Sequence, residues 1–81
     1  MGILFPPADR FTPIPVADRK GYPTAIELDG AQHRIDRVLA SWRSREPGFV
    51  AGGVLWIIGL QDGRTITLYS DAPRGHWYVK R

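Results

Sequence analysis

The chain has 81 residues, of which 43% are hydrophobic, and it contains no cysteine. This length leaves room for one domain with its own core, and the composition excludes an intrinsically disordered chain. The missing cysteines exclude disulfides and thiolate metal sites and favour a cytoplasmic setting. Eleven Lys and Arg against eight Asp and Glu give a net charge of +3, a mild excess that fits a polyanion partner but also an ordinary solvated surface. No apolar run is long enough to span a membrane.

The N-terminal quarter of the chain is rich in proline. Five of the seven prolines lie in the first 23 residues, namely Pro6, Pro7, Pro13, Pro15 and Pro23. Proline cannot donate to a β-ladder, so this stretch belongs on a sheet edge or in a wrapping arm. We therefore expect residues 1–11 to form an extended arm and residues 12–81 to form a single β domain. The domain begins with a short edge strand, Thr12–Val16, with Ile14 and Val16 facing inward, followed by a turn at residues 18–21.

Two Asp-Gly pairs, Asp29-Gly30 and Asp62-Gly63, each separate two strand-like runs. Asp-Gly is typical of the two-residue hairpin turn in which both central residues have positive φ. The sequence therefore predicts two β-hairpins. The first joins residues 24–28 to 31–35, and the second joins residues 55–61 to 64–69.

Residues 31–45 fit two interpretations. Ile35, Val38, Leu39 and Trp42 recur with the spacing of an amphipathic helix. The hairpin turn, however, pairs Leu28 with Ala31, Ile26 with His33 and Thr24 with Ile35, as a half-buried strand requires. We favour a long strand with a bulge near Asp36-Arg37, which would turn Val38, Ala40 and Trp42 inward. A helix over about 35–45, and hence an α+β fold, remains the alternative.

The C-terminal half predicts three more strands. Residues 54–60 are apolar on both faces, which is typical of a central strand. Residues 64–69 alternate between apolar and polar side chains, as a strand with one buried face does. Residues 71–75 form a turn, and residues 76–80 form a closing strand. The expected fold is an all-β antiparallel meander of five or six strands, either strongly bent or curled into an open barrel, because a flat sheet of this size would leave one apolar face wet.

The sequence contains no pattern typical of an active site. His33 and His76 lie outside any spacing used for metal ligands or nucleophilic triads, and Asp29 and Asp62 are accounted for by turn chemistry. No glycine loop precedes a helix with a suitably placed lysine. We expect no enzymatic activity, no cofactor, no metal and no small-molecule substrate.

A set of basic residues interleaved with tryptophan forms the candidate binding surface. It comprises Arg34, Arg37, Trp42, Arg43, Arg45 and Arg74. Arginines track phosphates and aromatic rings stack on bases, so the surface predicts a DNA- or RNA-binding module. The proline-rich arm and an exposed strand edge instead predict binding to a protein partner or to a second copy of the chain. We favour the protein interaction, and the direction of the arginine side chains distinguishes the two hypotheses.

Several short motifs occur in a fixed order along the chain. They are Thr12–Val16, Gly21–Pro23, Arg34-Ile35, Arg37–Leu39, Trp42-Arg43, Leu68–Asp71 and Trp77–Val79. In this order they resemble a small bacterial domain family to which no function has been assigned. Some members of that family resemble segments encoded beside Y-family polymerase mutagenesis cassettes. The resemblance implies a link to DNA repair or damage tolerance and assigns no role to any residue.

Overall fold

The computed structural model describes residues 11–43, 53–71 and 75–80. These residues form seven strands: β1 (Phe11–Pro13), β2 (Val16–Arg19), β3 (Tyr22–Leu28), β4 (Ala31–Arg43), β5 (Val54–Leu60), β6 (Thr65–Asp71) and β7 (His76–Lys80). No helix occurs in this part of the chain, so none is present there that is long and apolar enough to cross a membrane. Phe11, the last residue of the expected arm, already belongs to the sheet, and residues 1–10 lie outside the described ranges.

The strands form one antiparallel sheet in the order β1-β7-β6-β5-β4-β3-β2. Apart from β1, this is a meander in which each strand lies beside its neighbour in sequence. The sheet is strongly curled into an open half-barrel, which confirms the all-β bent-sheet prediction. The seven strands exceed the expected five or six because the first predicted strand is divided into β1 and β2.

The division occurs at Ile14-Pro15, where the two edges of the sheet meet. The backbone N–H of Ile14 donates to the carbonyl of Trp77 in β7 at 3.1 Å, and the N–H of Glu27 in β3 donates to the carbonyl of Pro15 at 3.1 Å. Because Pro15 has no N–H, the chain can accept from β3 there but cannot donate to it. One short segment thus pairs with β7 through its first half and with β3 through its second.

The concave inner face of the sheet carries the larger hydrophobic core. It consists of Ile14, Ile26, Trp56, Ile58, Leu60, Leu68 and Trp77, all of them buried. Strand β5 lies at the centre of the sheet, as its apolar sequence predicts, and supplies three of these residues. The indole N–H of Trp56 donates to the hydroxyl of Ser70 at 3.0 Å, which pairs a polar group that burial would otherwise leave without a partner.

A second, smaller cluster lies on the convex outer face. It consists of Phe11, Leu55 and Tyr69 with Tyr78 packed against them. Leu55 and Trp56 are consecutive in β5 and therefore point to opposite faces of the sheet. The ring of Tyr69 lies 6.0 Å from that of Phe11 and 6.0 Å from that of Tyr78, within the range of favourable aromatic pairs. The central strands are thus buried on both faces.

The two Asp-Gly turns differ from each other. Asp29 and Gly30 both have positive φ, 51° and 79°, which confirms the predicted two-residue turn. In the second hairpin only Gly63 has positive φ, and its N–H donates to the carbonyl of Leu60 at 3.0 Å. That loop is a three-residue connection built on a type I turn, so the prediction of a two-residue turn was wrong there. The turn expected at residues 18–21 is shorter, because Asp18 and Arg19 belong to β2 and pair with β3. Lys20 and Gly21, both with positive φ, form it.

Residues 31–43 form one strand of 13 residues, so the helical alternative was wrong in this range. The ladder between β4 and β5 shifts between Ile35 and Arg37, which confirms the predicted bulge, and shifts again between Val38 and Ala40. A single bulge would turn Ala40 and Trp42 inward. The second shift moves both to the outer face, where they are exposed, so that part of the prediction was wrong.

Two glycines at β5 predict opposite responses to an added methyl group. A Cβ at Gly53 would overlap the ring and hydroxyl of the buried Tyr69, whereas a Cβ at Gly59 would lie in ordinary contact, 3.4 Å from Cγ of Arg37. We expect Gly53→Ala to lower the free energy of unfolding by about 1–3 kcal/mol, the usual effect of overpacking. Gly59→Ala is the matched control and should leave it unchanged or slightly raised. Urea unfolding measures both, and equal midpoints for the two variants would contradict the packing described.

Candidate interaction edge on strand β4

The structure divides the predicted surface between the two faces of β4. Arg37 lies opposite Gly59 and Trp42 opposite Leu55, both on the outer face, and Arg34 points the same way by alternation. Arg43 lies opposite Val54, which packs against the inner core, so Arg43 belongs to the inner face. Arg45 and Arg74 lie outside the described residues. Three members of the surface therefore share a face, and Arg43 does not join them.

Arg37 lies along the backbone of β5. Its Cγ would be 3.4 Å from a Cβ at Gly59, so the missing side chain of that glycine makes room for the arginine stem. The guanidinium forms an ion pair with Asp36 at 3.9 Å, with 71% of the Arg37 side chain exposed. An ion pair that is so exposed contributes little to stability. The cationic end of Arg37 is therefore available to a partner.

Beyond Arg34, strand β4 parts from β3. The last pair between the two strands joins Ala25 to Arg34, so the expected pair between Thr24 and Ile35 does not form. A surface cleft of about 300 Å³ lies at this point, lined by residues 22–24 of β3 and 34–38 of β4. Residues 36–43 pair with β5 on one side, and no strand of the described ranges pairs with them on the other. We refer to residues 36–43 as the open β4 edge.

Apolar side chains are exposed along the open β4 edge. Of its eight residues, Val38 is half-buried and the other seven are exposed. Leu39 is 51% exposed and Trp42 is 47% exposed, which again contradicts the predicted inward position of Trp42. Leu39 was not a member of the binding surface predicted from the sequence. An open strand edge with exposed apolar residues is a typical site for pairing with another strand.

The other two edges of the sheet are short and interrupted. Strands β1 and β2 have three and four residues. They converge at Ile14-Pro15, and the β2–β3 ladder shifts between Ala17 and Asp18. Short strands, proline and bulges are the features by which proteins limit pairing at an edge. Within the described part of the chain, the open β4 edge is therefore the longest stretch that can accept a strand.

The described residues carry almost balanced charge. Seven are basic, namely Arg19, Lys20, Arg34, Arg37, Arg43, Arg64 and Lys80, and six are acidic, namely Asp18, Glu27, Asp29, Asp36, Asp62 and Asp71. A polyanion-binding face normally collects an excess of positive charge. The charges are mixed and the arginines are divided between two faces. Both features support nucleic-acid binding less than a single basic face would.

His33, Asp62 and Arg64 form a small polar cluster at one end of the sheet. The guanidinium Nε of Arg64 donates to Asp62 at 2.8 Å, and its Nη2 lies 3.4 Å from Nε2 of His33. The contact joins the β3–β4 hairpin to the β5–β6 turn. In the described ranges no group of three or more His, Cys, Asp or Glu side chains is arranged to hold a metal ion.

Comparison of the chain with family models, curated proteins and solved structures gives no match. The resemblance to the bacterial family stays a prediction from the motifs.

The Asp62 carboxylate should make the free energy of unfolding depend on pH in the acidic range. The backbone N–H of Arg64 donates to it at 3.1 Å and lowers its pKa below the ordinary value of 3.8, with the Arg64 side chain acting in the same direction. Because the pKa is lower in the folded state, this contribution is present above about pH 3.8 and is lost as the pH falls through the folded-state pKa. In Asp62→Asn, the free energy of unfolding should fall less than in the parent protein between roughly pH 5 and pH 3. Equal losses in the two proteins would contradict the assignment.

Proposed function

We propose that this protein is a non-enzymatic, cytoplasmic interaction module that binds an extended protein strand along the open β4 edge. The observation that carries the proposal is the contrast between neighbouring strands. Strand β5 is mostly buried on both faces, whereas seven of the eight residues in the open β4 edge are exposed. Backbone groups on the free side of the edge can pair with an incoming strand.

The geometry also supports selectivity. In strand addition, main-chain hydrogen bonds provide affinity and alternate side chains provide specificity. Arg37 and Trp42 offer a cation and an aromatic ring on the outer face of the edge, and Val38 offers a half-buried apolar group on the inner face. The bulges at 35–37 and 38–40 distort the edge and disfavour indiscriminate pairing. A strand with matching side chains would bind in preference to any extended chain.

A charge placed in the middle of the open β4 edge tests the proposal. We expect Leu39→Lys to abolish retention of a partner on the immobilised protein and any self-association, because the lysine replaces an exposed apolar contact with a charge that must be desolvated. Gln32→Lys introduces the same charge at an exposed residue of the same strand, within the part that pairs with β3, and should change neither. Partners retained from an extract of the producing cells are identified by mass spectrometry, and self-association is measured by sedimentation velocity.

Both variants are first compared with the parent protein by circular dichroism and urea unfolding. If Leu39→Lys is folded and still retains the same partner, or still self-associates with the same affinity, the open β4 edge is not the binding surface. Loss of binding in both variants would also contradict the proposal, since Gln32 lies outside the open β4 edge.

Nucleic-acid binding is the second candidate function. It is supported by the shared outer-face position of Arg34, Arg37 and Trp42, and by the DNA-repair link that the family resemblance implies. If the outer face binds a single strand, Arg37→Ala should weaken binding of a labelled oligonucleotide and reduce its salt dependence by about one counterion. Trp42→Ala should weaken binding by about 1–3 kcal/mol through lost stacking.

Arg43→Ala provides the matched control, since it removes the same charge from the same strand on the inner face. Fluorescence anisotropy of single-stranded and duplex DNA, at low and moderate salt, measures all three variants. Equal effects of Arg37→Ala and Arg43→Ala would indicate non-specific attraction rather than a site. No binding at low salt would exclude this function and leave the protein interaction.

A further inference from the structure

The open β4 edge is self-complementary, and we infer that its partner is a second copy of this chain. The inference rests on the proposed function and names the occupant of the edge. Two such edges can pair antiparallel about a two-fold axis between Leu39 and Ala40. In this arrangement Arg37 of each copy lies opposite Trp42 of the other, Val38 lies opposite Ser41, and Leu39 lies opposite Ala40.

The faces of the side chains agree with this register. Arg37 and Trp42 both lie on the outer face, where their partners in β5 are Gly59 and Leu55. Val38 and Ser41 both lie on the inner face, opposite Ile58 and Trp56. Residues directly opposite each other in an antiparallel pair point to the same face of the sheet. In these two pairs the register therefore joins outer residues to outer residues and inner residues to inner residues.

Neighbouring registers lack this agreement. A shift of one residue in either direction places Val38, an inner residue, opposite Trp42 or Ala40, which are outer residues. Such a slip would expose groups that the pairing should bury. The two bulges make the match specific, because the second bulge is what moves Trp42 to the same face as Arg37.

The pairing would also give the exposed side chains of the edge contacts in the other copy. Trp42 and Leu39 are two of the three large hydrophobic residues exposed in the described part of the chain. The Arg37 side chain, 71% exposed, lies over Gly59 in the single chain. On pairing, its guanidinium would turn toward the Trp42 ring of the other copy. A cation beside an indole ring is a favourable contact, and arginine is the usual cation in such pairs. Each contact occurs twice because the interface is two-fold symmetric.

Engineered cysteines test the register directly, since the chain contains no cysteine of its own. We expect an equimolar mixture of Val38→Cys and Ser41→Cys proteins to form a disulfide-linked dimer on mild oxidation, because these positions lie opposite each other across the axis. Each variant oxidised alone is the control. In the proposed register, two copies of residue 41 are offset by only about 7 Å along the strands, because the second bulge makes residues 38–41 span two positions of β5. With about 5 Å between the strands, their Cα atoms would be about 8 Å apart, which is beyond the reach of a disulfide.

Point variants measure the side-chain contacts. Arg37→Ala and Trp42→Ala should each weaken the dimer by roughly fivefold or more in sedimentation velocity, because each substitution removes both copies of the cation–aromatic contact. Arg34→Ala is the matched control. It removes an arginine from the outer face of the same strand, within the part that pairs with β3, and should leave the dimer unchanged.

Cross-linking of the mixture, but not of either variant alone, supports the inference. Equal cross-linking of each variant alone, or a dimer that the mixture does not cross-link, overturns the register. A protein that stays monomeric over a hundredfold range of concentration overturns self-pairing. In that case the proposed function still stands or fails on whether Leu39→Lys loses another partner.

Discussion

The hydrogen bonds on either side of the Ile14-Pro15 bend determine the shape of the sheet. Ile14 donates to β7 and Pro15 accepts from β3, so two residues connect strands at opposite edges of the sheet. This constraint curls the sheet and separates an inner face, which holds the main core, from an outer face with a smaller aromatic cluster. The bend depends on proline at position 15, because a residue with its own N–H would add a donor at the point where the pairing changes sides.

The same curvature accounts for the exposure of β4. The strand is 13 residues long, and β3 pairs with it only as far as Arg34. Beyond that point β3 parts from β4, and the ring of Tyr22 lies 5.4 Å from that of Trp56 in the inner core. The rest of β4 pairs with β5 alone and leaves its other side open. The open edge is thus a consequence of closing the sheet at Ile14-Pro15 while β4 extends past its neighbour. Its apolar residues, Leu39 and Trp42, find no place in either hydrophobic cluster.

The all-β class, the hairpin at Asp29-Gly30, the central position of β5 and the first bulge could be predicted from the sequence. Each depends on local turn chemistry or on the alternation of apolar residues, which are visible within a few residues. The second bulge could not. Two bulges each insert one residue, and together they space Ile35, Val38, Leu39 and Trp42 as a helix would. The interruption at Pro15 also depends on strands that are remote in sequence.

The candidate site was predicted in part. The alternation of β4 and the basic sequence of residues 34–43 indicate an exposed polar strand, and Arg37 and Trp42 are members of the edge as well as of the predicted surface. Leu39 was missed because a leucine in a strand is usually buried. The inner position of Arg43 was missed because a residue's face depends on how many bulges precede it.

Hydrogen exchange resolved by residue is the most direct test of the open β4 edge. At low protein concentration, where the edge is free of partners, we predict that roughly alternate amides of residues 36–43 exchange quickly, because they point away from β5, while the intervening amides are protected. The amides of β5, which pairs on both sides, should all be protected. Uniform protection along residues 36–43 would show that the edge is covered and would contradict the account.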